Sequence, residues 1–527
     1  MRHKYCVLIA SFLCVSSTLP MRGQNIDFKV YSNPKVQEAS NYKSANIYQK
    51  DALLFVDLLK ECHPCFSHGL IPPVDLDSLQ RVAYRWAATC PSAVKLSAYL
   101  ESIAALLHDG HTTLIPNINM NLIYPFLLFN DGRSFYLQGV NQEFRSFLGK
   151  QVSLINGHSI GDVINGFRPL ISSDNEAYFL DKVIRIDMPS YSMWQGHPYC
   201  QADSTLRFTF SDGSELTMHP VSRNKLHLVL AQGSKRQNTM RQNSKQPFLY
   251  RIDSIRSICY LQFDQCIDQS SIRVQYRMGA TGPLDDALER RLARIPRFDS
   301  FLKGMFQDIK EKGIKTLVID VRNNKGGDSR LCNVLLSWLK PIEQVHFWTS
   351  SIRFSNLWMQ HYPVLANEYK QEFAKAHLPL KVGALYDNTF LSRLNKNEEN
   401  DTQKMEDDLF VLNKDSDSVF KGTIIFIQNQ RTYSSAGLLL TAAADNHIGS
   451  IIGSGSSYTP CSYGDLLGWI LPNTKIRGTV SCKMFYRPDK SKCGASSLMP
   501  DVLLSPNWES ILNADDLCWE WIVKTKY

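Results

Sequence analysis

The spacing of apolar residues divides the chain into a helical beginning and a later part in which strands and helices alternate. Between residues 45 and 110 apolar side chains recur at intervals of three and four, the period of one face of a helix. This spacing predicts helices over Ile47 to Lys60, Leu76 to Ala88 and Ala93 to Leu107. The pattern changes at His108, after which short strand-like stretches begin.

A strand, a turn and a helix are predicted close together between Gly149 and Phe167. Val152 to Ile155 has the composition of a short strand, and Asn156-Gly157 is typical of a tight turn. A helix is expected to begin near Ser159.

Two continuous apolar runs mark the second half of the chain. Lys315 to Val321 and Thr423 to Ile427 are rich in β-branched residues, which indicates strands buried on both faces. A polar loop and a predicted helix follow each of them, over Leu331 to Leu339 and Ala436 to Asp445, and a third strand is expected at Ile451. Repeated strand–loop–helix order predicts an α/β core of mostly parallel strands, in which functional residues gather at the strands' carboxyl ends.

Two polar stretches interrupt this pattern. Residues 223–247 are basic and poor in apolar residues, which predicts a linker, and the acid-rich residues 391–417 predict an exposed insertion.

Composition makes the chain an ordinary globular protein of more than one domain. It has 527 residues, of which 44% are hydrophobic and 20% charged, and this length predicts two to four domains. The formal net charge of +8 is mild and argues against a nucleic-acid-binding protein.

The amino terminus has the order of a secretory signal peptide. A basic start, Met1 to Lys4, precedes an apolar stretch from Tyr5 to Leu19 and then a polar segment. Cleavage near Gly23 would lower the net charge to +5. We therefore expect an exported protein, periplasmic, attached to the cell envelope or secreted, with no transmembrane segment in the mature chain.

The cysteines do not predict a disulfide framework. Eleven remain after the leader, an odd number, so at least one is free or paired between chains. Cys62 and Cys65 form a C-x-x-C pattern, but a predicted helix and not a strand precedes it, so we interpret them as ordinary cysteines and expect no zinc site around His63.

Candidate chemistry lies in the loops after the two buried strands. The Gly326-Gly327 pair can present backbone amides to an anion, and Ser434 precedes a helix amino terminus, where negative charge is favoured. Each feature alone is also typical of a turn or a helix cap.

Four segments, in the same order, resemble the tail-specific, C-terminal-processing serine proteases of peptidase family S41. The resemblance as a whole extends over about residues 45 to 505. The segments are Leu107-His108-Asp109-Gly110-His111-Thr112, the PDZ-like stretch from Gly149 to Ile164, Asp320-Val321-Arg322-Asn323-Asn324-Lys325-Gly326-Gly327, and Thr432-Tyr433-Ser434-Ser435-Ala436.

The resemblance implies a fold in several parts. It implies a multidomain α/β protein with an N-terminal helical region (24–117), a PDZ-like domain (118–222), the basic linker (223–247) and a ClpP/crotonase-like α/β peptidase core (248–527).

The resemblance also assigns roles to residues. It implies that Ser434 is the nucleophile, that the amides of Gly326, Gly327 and Ser435 form the oxyanion hole, and that His111 is the general base, as in the tricorn-like members. The chemistry is coherent, because a serine hydroxyl is a weak nucleophile until a base takes its proton.

The chain departs from the family in two places. No lysine follows Ser434 before Lys475, so a Ser–Lys dyad would need Lys475 or Lys325 to reach the site. The segment from Ser491 to Leu498 lacks the glutamate that tricorn-like members carry, which leaves Asp109 and Asp501 as candidates for the acid that orients His111.

The sequence therefore predicts an exported serine endopeptidase that acts on proteins or peptides without a metal or other cofactor. One alternative is a catalytically inactive ligand- or peptide-binding protein on the same scaffold. A second alternative is a hydrolase of small esters. The sequence leaves the substrate, the ligand of the PDZ-like domain and the oligomeric state open.

Overall fold

The computed structural model describes residues 26–67, 73–115, 122–231, 239–279, 285–388, 390–391, 408–494 and 496–526. Three predictions fall wholly or partly outside the described residues: the leader peptide (1–23), residues 232–238 of the linker and residues 392–407 of the polar insertion.

Helices and strands alternate along the described chain. The α-helices are α1 (Pro34–Glu38), α2 (Ser40–Lys43), α3 (Ile47–Cys62), α4 (Leu76–Ala87), α5 (Ala93–Ala105), α6 (Ile160–Gly166), α7 (Glu176–Lys182), α8 (Tyr191–Trp194), α9 (Gln269–Gly279), α10 (Asp286–Leu292), α11 (Phe298–Glu311), α12 (Arg330–Leu339), α13 (Asn356–His361), α14 (Pro363–Lys375), α15 (Ser435–Asp445), α16 (Trp508–Asn513) and α17 (Leu517–Lys526). The strands are β1 (Phe28–Val30), β2 (Thr113–Ile115), β3 (Leu122–Ile123), β4 (Phe126–Asn130), β5 (Phe135–Asn141), β6 (Val152–Ile155), β7 (His158–Ser159), β8 (Leu206–Phe210), β9 (Glu215–Met218), β10 (Val221–Ser222), β11 (Leu228–Leu230), β12 (Phe248–Asp253), β13 (Ile258–Phe263), β14 (Thr316–Asp320), β15 (Thr349–Arg353), β16 (Leu385–Asp387), β17 (Thr423–Gln428), β18 (Ser450–Gly453), β19 (Tyr463–Ile470), β20 (Arg477–Tyr486) and β21 (Val502–Leu503). None of the described helices combines the length and the apolar character needed to cross a membrane.

A mostly parallel sheet forms the core of the second half of the chain. Its strand order is β12-β13-β14-β17-β18-β21, and only β12 runs antiparallel to its neighbour. Helices α11, α12 and α15 pack on one face and α17 packs on the other. The two continuous apolar runs are β14 and β17, and both are covered on both faces as their composition predicts.

A second sheet joins the amino-terminal helices to the carboxyl-terminal part of the chain. Its order is β1-β19-β20-β15-β16, and β2 pairs with β20. Helices α3, α4 and α5 form one apolar core with residues of this sheet, among them Trp469 and Val480. The N-terminal region thus contributes two strands, β1 and β2, as well as the predicted helices.

The middle of the chain has its own apolar core. It contains the sheets β7-β6-β8-β9 and β11-β5-β4 and helices α6, α7 and α8. The predicted strand–turn–helix is β6, a turn at Asn156 and Gly157 with φ of 53° and 80°, and then β7 and α6. Ser159 caps α6 by accepting a hydrogen bond from the Asp162 amide.

The described parts of residues 223–247 differ from the predicted linker. Leu228–Leu230 forms β11, which pairs with β5, because three adjacent apolar residues complete the edge of that sheet. Arg241 lies against the core and binds Asp264 and Asp320. The polar composition of this segment thus reflects partly buried ion pairs as well as exposure.

One described disulfide joins Cys461 and Cys493, with a Cα separation of 5.6 Å. Nine other described cysteines, including Cys62 and Cys65, are free thiols.

A network of buried ionic contacts lies at the carboxyl end of β14. The Asp320 side chain is fully buried and accepts hydrogen bonds from Arg241, Arg322 and the Tyr260 hydroxyl. Arg322 also binds Asp516, just before α17. Burial by itself raises the pKa of Asp320, but the charges of Arg241 and Arg322 outweigh it and hold that pKa well below its ordinary value.

We expect Asp320→Asn to lower the free energy of unfolding by about 3–5 kcal/mol near neutral pH, because two arginines lose a buried counter-charge. The folded carboxyl has the lower pKa, so its stabilising effect is complete above the ordinary aspartate pKa of about 3.9 and declines as the pH falls below it. Urea unfolding followed by tryptophan fluorescence measures the difference.

Asp308→Asn is the matched control, since Asp308 holds the Tyr250 hydroxyl at a more exposed position. Its effect should be much smaller. Equal losses in the two variants would show that the buried network does not stabilise the core.

Candidate active site

Ser434 lies in the turn between β17 and α15, in an unusual backbone conformation. Its φ and ψ are 52° and −126°, a combination that residues with a side chain rarely adopt. The residue is partly exposed, and it immediately precedes the α15 amino terminus, whose partial positive charge favours negative charge nearby. Its Oγ lies 3.2 Å from Nε2 of His111.

His111 is held between the N-terminal region and the second sheet. It precedes β2, and the Thr479 hydroxyl on β20 donates to the His111 carbonyl at 2.7 Å. Its own amide donates to Asp109 Oδ1 at 3.0 Å. The side chain is nearly buried, so its position relative to Ser434 is fixed from both sides.

Asp109 is a fully buried carboxylate with several donors around it. Its Oδ2 accepts from the hydroxyls of Thr112 and Ser481, both at 2.6 Å, and lies 3.1 Å from Nε2 of His63. Oδ1 accepts the His111 amide and lies 3.5 Å from His111 Nδ1.

Sequence reasoning assigned no role to His63. Nothing local signals one, because its partner Asp109 lies 46 residues further along the chain. Its other ring nitrogen, Nδ1, lies 2.9 Å from the Cys65 thiol, so the C-x-x-C segment surrounds a structural histidine.

Tyr433 and Asp174 complete the surroundings of His111. The Tyr433 hydroxyl lies 2.9 Å from His111 Nδ1 and 2.5 Å from Asp174 Oδ2. The Gly110 amide also donates to Asp174 Oδ2, at 3.0 Å. Sequence reasoning missed both roles. Tyr433 adjoins Ser434 and could have been suspected, whereas Asp174 lies in the middle region without a distinguishing motif.

The pKa values in this cluster move in different directions. For Asp109, burial raises the pKa, but hydrogen bonds and charges from His111 and His63 outweigh it and hold the pKa well below the ordinary value. For His111, burial lowers the pKa, but Asp109 and the charges of Asp174 and Asp465 outweigh it and raise the pKa. Burial and the Asp109 charge raise the pKa of Asp174 to about 7.

The glycine pair lies against the Ser434 turn, and its two amides differ. The Gly326 amide donates to Asn324 Oδ1 at 2.8 Å, so it is already engaged. Among the described residues, the amides of Gly327 and Ser435 have no hydrogen-bond acceptor. Of the three predicted oxyanion donors, Gly327 and Ser435 therefore have free N–H groups.

Three other residues considered from the sequence have partners elsewhere. Asp501 is exposed and accepts from the Ile451 amide at 2.8 Å. Lys475 donates to the Pro472 carbonyl at 2.6 Å, and the charged groups acting on Lys325 are Asp181, Arg185, Arg431 and Lys182. No lysine within the described ranges is hydrogen-bonded to Ser434.

Asp109, His111 and Asp174 have ligand-type atoms within 4.8 Å of one another. These atoms already serve hydrogen bonds to Tyr433, Ser434, Gly110 and the donors around Asp109. The arrangement is that of a hydrogen-bonded network around one imidazole, and it suits proton transfer at Nε2 better than metal binding.

We expect Gly326→Ala to be more destabilising than Gly132→Ala. Both glycines have positive φ, of 92° and 89°, so both variants carry backbone strain. An added Cβ at Gly326 would lie 2.7 Å from Ser434 Cβ and from the Ser435 amide nitrogen, whereas at Gly132 it would meet nothing within 4 Å. Thermal unfolding should show an extra loss of about 1–3 kcal/mol for Gly326→Ala. Equal losses of stability in the two variants would show that the Ser434 turn can shift to accommodate the added Cβ at little cost.

Comparison with known proteins gives a family and a fold. Residues 292–502 match the model of peptidase family S41. No significant match was found among curated protein sequences. The solved structure of mature CPAF is 14% identical with a TM-score of 0.56, covering 91% of this chain and 97% of that one. Mature CPAF complexed with lactacystin is 14% identical with a TM-score of 0.55, covering 91% and 98%.

The photosystem II D1 C-terminal processing protease is 10% identical with a TM-score of 0.38, covering 89% of this chain and 98% of that one. At such low identity the two CPAF structures show a shared multidomain α/β fold, while the family match covers the region that carries β14, β17, Ser434 and the glycine pair. Residues 292–502 thus form a region of peptidase family S41, and this match supports a serine-type peptidase.

Proposed function

We propose that the protein is an exported serine endopeptidase that hydrolyses peptide bonds through an acyl-enzyme on Ser434, with His111 as general base. The observation that carries this proposal is the distance of 3.2 Å between His111 Nε2 and Ser434 Oγ, two residues 323 positions apart. A nucleophile within hydrogen-bond distance of a base is the arrangement that acyl transfer requires.

Acylation follows from this geometry. His111 Nε2 takes the hydroxyl proton while Ser434 Oγ bonds to the carbonyl carbon of the substrate. The carbonyl oxygen becomes an oxyanion, which the free amides of Gly327 and Ser435 and the α15 amino terminus are suited to stabilise. His111 then gives the proton to the leaving amine, and the carbon–nitrogen bond breaks.

Deacylation repeats these steps with water. His111 takes a proton from water, the hydroxyl oxygen attacks the ester carbonyl, and the oxyanion occupies the same donors. The proton then returns to Ser434 Oγ as the carbon–oxygen bond breaks, which restores the free enzyme. No lysine is needed in either half of the reaction.

Two features support export. The basic, apolar and polar order of the first residues is that of a signal peptide. The Cys461–Cys493 disulfide suits an oxidising compartment, such as the periplasm or the extracellular space.

The substrate class in this proposal is protein or peptide. Residues 118–222 are proposed as a PDZ-like docking module, because a four-stranded sheet with open edges can accept an extended peptide as a further strand.

A fluorophosphonate probe should label Ser434 in the purified chain from Gln24 onward, and Ser434→Ala should remove the label. His111→Gln should slow labelling by about 10²- to 10⁴-fold, because glutamine cannot take the serine proton. Mass spectrometry of the adduct identifies the labelled residue, and cleavage of denatured casein reports peptide hydrolysis. Lactacystin, which a similar CPAF structure contains, is a second probe.

His361→Gln is the matched control, since His361 is also a buried histidine, with Nε2 2.8 Å from the Gly468 carbonyl. It should label at the wild-type rate. A folded wild type that takes no label would contradict the proposal. Turnover of small esters without casein cleavage would indicate an esterase, and tight binding of an apolar ligand that survives Ser434→Ala would indicate a binding protein.

A further inference from the structure

The hydrogen bonds around Tyr433 determine which nitrogen of His111 carries its proton. A tyrosine hydroxyl has one hydrogen, and Tyr433 has two close neighbours, Asp174 Oδ2 at 2.5 Å and His111 Nδ1 at 2.9 Å. Asp174 Oδ2 also accepts the Gly110 amide, and in the ionised form of Asp174 both carboxylate oxygens can only accept. The Tyr433 hydrogen therefore points to Asp174, and its oxygen accepts from His111 Nδ1–H.

The hydrogen bond from His111 Nδ1–H to Tyr433 leaves the other ring nitrogen, Nε2, available as a proton acceptor. A neutral imidazole carries a single N–H, so with the proton on Nδ1 the lone pair of Nε2 faces Ser434 Oγ. That is the tautomer in which His111 can accept the serine proton.

Asp109 is unsuited to hold the Nδ1 proton of His111, although it is nearer to His111 in sequence than Asp174 and Tyr433 are. Its oxygens already accept from Thr112, Ser481 and the His111 amide and face His63. Its distance of 3.5 Å to Nδ1 exceeds that of the Tyr433 hydroxyl. Asp109 instead holds the backbone of His111 through its amide and supplies negative charge near the imidazole.

We propose that Tyr433 and Asp174 are positioning residues for catalysis, which hold His111 in the Nδ1–H tautomer and take the place of a directly bound acid. This inference rests on the proposed function. When Ser434 gives its proton to Nε2, Nδ1–H stays on His111 and its bond to Tyr433 strengthens, because the donor is now charged. Neither Tyr433 nor Asp174 gains or loses a proton in this step.

The structure holds this pair in place from several sides. The Tyr433 amide donates to the Asn324 carbonyl at 2.9 Å, which ties it to the glycine loop. Its ring stacks on His111, with centroids 4.6 Å apart. The Asp174 carbonyl accepts from the Thr459 hydroxyl at 3.3 Å. Asp174 thus brings the middle region into contact with the site.

Tyr433→Phe and Asp174→Asn should each slow fluorophosphonate labelling by about 10- to 100-fold, the worth of a hydrogen bond to a group that becomes charged. The variants should lower the maximal labelling rate. The probe concentration at which labelling is half-maximal should stay unchanged, because neither side chain is proposed to bind the probe. Tyr31→Phe is the matched control: Tyr31 is a buried tyrosine whose hydroxyl donates to Asp57 at 2.6 Å in the N-terminal region. It should keep the wild-type rate.

The pH profile separates positioning from a loss of structure. The ionisable groups that face His111 are Asp109, Asp174, Asp465 and Tyr433, and those that face Asp174 are Asp109, His111, Tyr433 and Tyr178. Since the Asp174 charge helps to raise the pKa of His111, Asp174→Asn should move the acid limb of the labelling rate to lower pH. Asp174→Glu keeps the charge and should keep the limb near its wild-type position.

A second measurement does not depend on turnover. The imidazole ¹⁵N shifts of His111, assigned by comparison with His111→Gln, should show the Nδ1–H tautomer above the histidine pKa, and a mixture of tautomers in Tyr433→Phe. If Tyr433→Phe does not fold, Asp174→Asn carries the same test.

Each outcome decides the inference. Wild-type labelling rates and an unchanged acid limb in folded Tyr433→Phe and Asp174→Asn would overturn it, as would an Nε2–H tautomer of His111 in the wild type. A wild type that shows the Nδ1–H tautomer but takes no label would contradict the proposed function and leave the inference about the tautomer supported.

Discussion

The parallel pairing of β14 with β17 is the constraint on which the site depends. Asp320 lies opposite Ile427 in the register, so the loops that follow the two strands begin at the same edge of the sheet. The Tyr433 amide bonds to the Asn324 carbonyl across these loops, and Gly326 packs against Ser434. These contacts between the two loops help to hold Ser434 in its unusual backbone conformation.

His111, the proposed base, reaches this edge from a distant part of the chain. β2 pairs with β20, and the Thr479 hydroxyl on β20 donates to the His111 carbonyl. The second sheet therefore positions the His111 imidazole relative to Ser434. Asp174 comes from the middle region. Three parts of the chain therefore contribute groups to the site, which exists only when all three are packed together.

The two carboxylates near His111 differ because their surroundings differ. Asp109 is fully buried but accepts several hydrogen bonds, so its pKa is held low and it stays charged. Asp174 has fewer donors and feels the Asp109 charge, so its pKa rises to about 7. The charges of both carboxylates raise the pKa of His111, which suits its proposed role as a base that holds a proton between two steps.

A large part of the fold follows from local pattern. The three N-terminal helices, the β6–turn–α6 unit and the strands β14 and β17 follow from periodicity and from runs of β-branched residues, since these signals arise within a few residues of the chain. The sequence did not predict the described structure within the linker, because a three-residue strand and a partly buried arginine carry little signal among basic neighbours.

The chain by itself determined the candidates for chemistry, and the tertiary structure determined their partners. Ser434, His111 and the glycine pair lie in motifs that can be found in the sequence, because a serine before a helix and glycines after a strand are local features. Asp174, Tyr433 and His63 gain their roles only through contacts that join residues 46 to 322 positions apart. The choice among Asp109, Asp174 and Asp501 as neighbours of His111 is likewise set by packing, because hydrogen bonding depends on distance in space, which sequence separation does not record.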